Sequence, residues 1–100
     1  MKQSVTDENI VHSKKLQNKL LQDYHTFLAI EYPECQICGD MAVDHHHLFF
    51  GSFGADKDDR YLIAVCRRCH EWCHKNKRES QERHKEIVCQ NWREFNEILS

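Results

Sequence analysis

Two pairs of cysteines, Cys35/Cys38 and Cys66/Cys69, each separated by two residues, constrain this chain more than any other feature. That spacing lets both sulfurs of a pair turn toward one ion, and two such pairs complete a four-thiolate sphere of the kind that holds zinc. Four thiolates leave the ion no open position for substrate, so the expected role is a structural staple. A chain of 100 residues reads as one domain, too small to depend comfortably on apolar burial alone, and a bound ion supplies the missing stability. Of the other thiols, Cys73 is near enough to replace one of the four, and Cys89 reads as a small core residue of the last helix.

The six cysteines would form disulfides in a secreted protein, but Met1-Lys2-Gln3-Ser4-Val5-Thr6-Asp7-Glu8 has no apolar core of an export signal. A reducing cytoplasm is the expected compartment. The same argument, with the matching upstream pair, disfavours reading Cys66-Arg67-Arg68-Cys69-His70 as a haem attachment motif. No apolar run approaches a transmembrane length. The formal net charge of −2 gives the whole molecule no attraction to nucleic acid, so any such binding must come from a local patch. Arg67, Arg68, Lys75, Lys77, Arg78, Arg83 and Lys85 form one in sequence; a solvated helix face is the plainer explanation of such a run.

Ser4 or Thr6 can cap a first helix, in which Ile10, Leu16, Leu20, Tyr24, Phe27 and Leu28 recur at three- and four-residue intervals; an amphipathic helix is expected over 6–31, ended by Pro33. A strand-like stretch from Met41 to Leu48, a loop with Gly51, Gly54, Asp56, Asp58 and Asp59, and the β-forming Tyr61-Leu62-Ile63-Ala64-Val65 predict a hairpin with a long loop. A helix follows from Arg68 to about Lys77, then a last amphipathic helix over 80–99 with Val88, Trp92, Phe95 and Leu99 as its buried stripe. The two outer helices are expected to pack on each other and on a small metal-bound centre spanning 35–77.

Histidines supply a second set of ligands. His70 and His74 are four apart, so on a helix both imidazoles project from one face, as two ligands of one metal must; surface histidines also show this spacing. His45, His46 and His47 are consecutive on a predicted strand, where neighbours point to opposite faces, so at most two can serve one site directly. Trp72 reads as packing.

Taken together, Cys35-x-x-Cys38-Gly39, then His46-His47-Leu48 after a short strand, then Cys66-x-x-Cys69-His70 at the start of a helix, resembles the HNH endonuclease family. Leu48-Phe49-Phe50-Gly51 after the double histidine is similar to small HNH proteins of bacteriophages and prophages. The resemblance covers roughly Cys35 to Asn76 and leaves the flanking helices unassigned. It implies an α+β fold: a ββα-metal core with a four-cysteine zinc site, flanked by N- and C-terminal amphipathic helices. It also implies His47 as general base and His46 and His70 as ligands of a catalytic divalent ion, with His74 matching a further ligand of the family's bacteriocin nucleases. Shifted registers use Asp44 as ligand with His45 as base, or His46 as base. One departure matters: the family's central Asn is missing, since no Asn lies between Cys38 and Cys66, and Asp58 or Asp59 is the available substitute for holding the base's loop.

The expected activity is metal-dependent hydrolysis of DNA phosphodiester bonds, by nicking or double-strand cleavage. A neutral imidazole takes the proton of the attacking water, and an ion with open positions stabilises the charge developing on phosphate and leaving oxygen. Zn2+ is the expected structural ion, and Mg2+, Mn2+, Ni2+ or Zn2+ the catalytic one. Arg67, Arg68, Lys75, Lys77 and Arg78 would hold flanking phosphates without base specificity. The expected partners are DNA, a second copy through the outer helices, or a larger phage assembly, in the cytoplasm of a bacterial host and away from membranes. The rival reading is a zinc-binding module that binds DNA or a protein without cutting; a redox or metal-storage role for Cys73 and Cys89 has composition alone behind it.

Overall fold

The computed structural model describes residues 15–49 and 57–99. Helix α1 spans Asn18–Glu31, strands β1 and β2 span Asp44–His47 and Leu62–Val65, and helices α2 and α3 span Arg67–Lys75 and Lys77–Leu99. Among the described residues the fold is α+β, with one two-stranded antiparallel sheet and three helices. No helix among the described residues is long and apolar enough to cross a membrane.

The hairpin register pairs Asp44 with Val65, His45 with Ala64, His46 with Ile63 and His47 with Leu62. Every residue of β2 is buried, because its continuous apolar run is covered on both faces. Ile63 and Val65 join Leu48, Phe49, Tyr61, Val88 and Cys89 in a core that also contains Cys35, Cys66 and Cys69. Leu62 joins Leu16, Tyr24, Leu28 and Phe95 in a second core between α1 and α3. There the Tyr24 ring stacks on Phe95, with centroids 4.8 Å apart, and meets Trp92 edge-on at 5.4 Å.

Two helix boundaries and one burial assignment differ from the sequence reading. The first helix among the described residues begins at Asn18; Lys15 to Gln17, inside the helix expected over 6–31, are not helical and Gln17 is extended. The cause is visible at Leu16, whose backbone N–H goes to Asp59 Oδ2 at 2.9 Å instead of to a helical carbonyl. The expected caps Ser4 and Thr6, and Ile10, lie outside the described residues. The last helix starts at Lys77 and not at 80, with Asn76 alone between it and the end of α2. Leu99, assigned to its buried stripe, is half exposed, while Val88 and Phe95 are buried as expected.

Candidate metal centre

The sulfurs of Cys35, Cys38, Cys66 and Cys69 all lie within 4.8 Å of one another, so the four cysteines could hold a metal ion such as zinc. Zinc sits about 2.3 Å from thiolate, which sets tetrahedral S···S separations of about 3.8 Å; Cys38 Sγ and Cys66 Sγ are 3.6 Å apart. The first pair turns on Gly39, whose φ of +88° lies in the region L-residues avoid, and whose N–H donates to Cys35 O at 2.9 Å. The second pair opens α2: Cys66 is its N-cap, and its sulfur accepts from the Cys69 N–H at 3.4 Å. Cys35 Sγ likewise accepts from the N–H groups of Ile37 and Cys38. Burial works to raise the Cys35 thiol, yet these N–H groups hold it down at about 6, while burial pushes Cys69 up. Cys73 lies outside this group, buried beside Ser80, and does not replace a member.

A second group of ligand atoms, from His46, His70 and His74, also lies within 4.8 Å of one another. His70 and His74 share a face of α2, one turn apart, with Nε2 atoms 3.1 Å apart. Two imidazoles bound tetrahedrally at about 2.0–2.1 Å place their nitrogens about 3.3 Å apart, so the spacing fits one ion. His46 reaches them from β1, its ring 4.9 Å from both. It is buried, and burial together with the neighbouring His70 and His74 pushes its pKa down to about 3. His74 is also lowered, by burial and by His70. His46 and His74 therefore offer lone pairs at neutral pH, as metal binding requires.

Pleating sends the flanking histidines elsewhere. His45 turns to α1, where its Nδ1 lies 2.7 Å from His25 Nδ1. His47 turns to Asp59, with Nε2 2.9 Å from Oδ1. Burial lowers the His47 pKa, and the Asp59 bond and charge oppose the shift. Asp44, the alternative ligand, instead has Oδ2 3.0 Å from His70 Nδ1, which leaves His70 Nε2 facing His74. A carboxylate on the outer nitrogen of a ligating histidine fixes its tautomer and orientation. Asp58 and Asp59 separate cleanly in role. Asp58 is fully buried and grips Arg60 with both oxygens, Nε at 3.0 Å and Nη2 at 2.8 Å, whereas Asp59 faces His47.

The basic residues divide into two groups. Arg67 and Arg68 are exposed on the first turn of α2, where Arg68 pairs with Asp40 at 3.2 Å. Lys75, Lys77 and Arg78 line an open cleft of about 690 Å3 at the α2–α3 turn, together with Glu79, Glu82 and Arg83. Sequence reasoning missed His25 altogether and missed the bond from Asp44 to His70; it named Asp59, alongside Asp58, only as a substitute for holding the base's loop. No short-range pattern signals these pairs; they arise when the hairpin closes. No family model, curated protein or solved structure matches this chain.

Proposed function

We propose that this chain is a metal-dependent endonuclease of the HNH type, hydrolysing DNA phosphodiester bonds on a ββα-metal core formed by β1, β2 and α2. The observation that carries the reading is the division of labour on β1: His46 joins His70 and His74 in a ligand group, and among the described residues the adjacent His47 is anchored through one ring nitrogen, Nε2. A site built only for structure needs no second, partly exposed ligand group beside a complete four-cysteine one.

His46, His70 and His74 would hold the catalytic cation, which when bound supplies open positions for a phosphate oxygen and the leaving 3′ oxygen. The chain's own part is to position and to move a proton. His47, neutral because its pKa is lowered, takes the proton of the attacking water and makes the oxygen nucleophilic toward phosphorus. Asp44 keeps His70 turned for coordination. Arg67 and Arg68 at the α2 N-terminus, and Lys75, Lys77 and Arg78 at its far end, contact flanking phosphates, giving salt-sensitive affinity without sequence preference. The absent family Asn taken alone would favour a non-cutting module, and Asp59, a buried anchor for the base, weighs against that.

The test is conversion of supercoiled plasmid to nicked or linear DNA with Mg2+, Mn2+, Ni2+ or Zn2+, comparing the native chain with His47→Ala and with added EDTA. Cleavage lost in both controls supports the nuclease. Plasmid that is bound and never cut, with any ion, would leave the zinc-binding module as the better reading.

A further inference from the structure

Asp59 is 4% exposed, and each of its two oxygens receives one bond: Oδ1 lies 2.9 Å from His47 Nε2, and Oδ2 accepts the Leu16 N–H at 2.9 Å. From this geometry we infer that Asp59 is the positioning residue of His47, holding it as the Nε2–H tautomer and locking that contact to the backbone that leads into α1. The inference rests on the nuclease reading for its catalytic meaning, though not for its structural content.

A carboxylate can only accept, so the proton between Asp59 and His47 resides on Nε2. Nδ1 is then the ring nitrogen with a free lone pair, the one that can take a proton from water. Asp58 cannot take over, since both its oxygens are engaged by Arg60. The Leu16 bond matters because it leaves Oδ2 no freedom to swing: the carboxylate is fixed at one end by main chain and presents the other to the ring. An amide at position 59 would keep the shape and reverse the logic. Its carbonyl must serve the Leu16 N–H, its NH2 then faces Nε2 as donor, and the ring proton is driven to Nδ1. Asp59→Asn should therefore fold normally and disable the base, as a wrong tautomer does in other carboxylate–histidine pairs.

The experiment reads the tautomer directly. Long-range 1H–15N correlation spectra of the full-length, zinc-loaded chain are expected to show His47 protonated at Nε2, and Asp59→Asn to show it protonated at Nδ1, with zinc content and melting temperature confirming that the variant is folded. In the plasmid assay Asp59→Asn is expected to lower kcat by about 10^3- to 10^4-fold with KM for DNA within about twofold, because the phosphate-contacting side chains are untouched. A native His47 protonated at Nδ1 overturns the inference without need of any variant, and so does an Asp59→Asn protein with native kcat. If the tautomer reverses while the native chain cuts nothing, the positioning contact stands and the nuclease reading fails.

Discussion

His47, the proposed general base, sits under two opposed influences, and their balance would set the pH range in which it can act. Burial favours the neutral ring and lowers its pKa, while the hydrogen bond and charge of Asp59 favour the imidazolium and pull it partway back. The net shift is downward from 6.5. A general base works only when deprotonated, so kcat/KM is expected to rise with pH through a midpoint below 6.5 and to be flat above it; His47→Ala should abolish the limb along with the activity. A midpoint above 7 would show that Asp59 dominates burial. Gly39 poses a simpler question at the same scale. A Cβ there meets nothing within 4 Å, so the only objection to a side chain is its φ of +88°. Gly39→Ala is expected to cost about 1–2 kcal/mol in thermal or denaturant unfolding, with the four-cysteine site still occupied. A loss beyond that would mean the knuckle, and not one dihedral angle, had collapsed.

At the scale of elements, the strand β1 and the helix α2 present their histidines by period alone. A repeat of two sends His46 one way and His45 and His47 the other, and a spacing of four puts His70 and His74 together. This much was legible in the sequence, as were the two cysteine pairs, because each depends on spacing within one element. What was not legible depends on where separate elements meet. Asp44 reaches His70 across 26 positions, His45 reaches His25 across 20, and Asp59 reaches His47 across 12; the three depend on how α2, α1 and the segment before β2, respectively, come to lie against β1. The continuity expected of a helix over 6–31 is broken at 15–17 for the same reason, since the Leu16 N–H is claimed by a residue 43 positions away. The Asp44 contact makes its own prediction. Asp44→Asn preserves the packing but weakens the carboxylate that orients His70, so affinity for the exchangeable divalent ion should fall about 10- to 100-fold in calorimetric titration, with the cysteine-held ion unaffected. Three imidazoles also suit Zn2+ or Ni2+ better than Mg2+, which prefers oxygen ligands, and the order of ions that support cleavage should follow.

For the molecule as a whole, the two ligand groups differ in how deeply they are woven into the fold. Cys35, Cys66 and Cys69 belong to the same core as Ile63, Val65 and Val88. The first cysteine pair is tied to β2 by Gln36, whose N–H donates to Ala64 O at 2.8 Å and whose Oε1 accepts the Ala64 N–H at 2.9 Å. Gln36 in turn exchanges bonds with Asn91, fully buried on α3, which also donates to Leu62 O at 2.8 Å. An ion among the four sulfurs therefore joins knuckle, hairpin and both later helices, and removing it takes away the bonds that cross-link three buried thiols and the exposed Cys38. The histidine group is held differently: His74 is exposed and only His46 is buried, so an ion there can leave without disturbing a core. Two stages of metal loss are expected. Mild chelation with EDTA should remove the histidine-bound ion and end any cleavage while far-ultraviolet circular dichroism and thermal stability stay close to native. Forcing out the second ion, by a stronger chelator at low pH or by Cys69→Ser, should bring loss of helical signal and of cooperative unfolding, since binding energy at a structural zinc site is folding energy. Asn91→Leu gives the complementary case: it strands the Leu62 carbonyl and Gln36 Nε2, leaving Gln36 Oε1 with the Ala64 N–H alone, and should lower stability by about 2–3 kcal/mol with the ion retained. Simultaneous release of both ions by EDTA, together with unfolding, would show that the histidine group is as much a part of the staple as the cysteines, and would count against assigning it to catalysis.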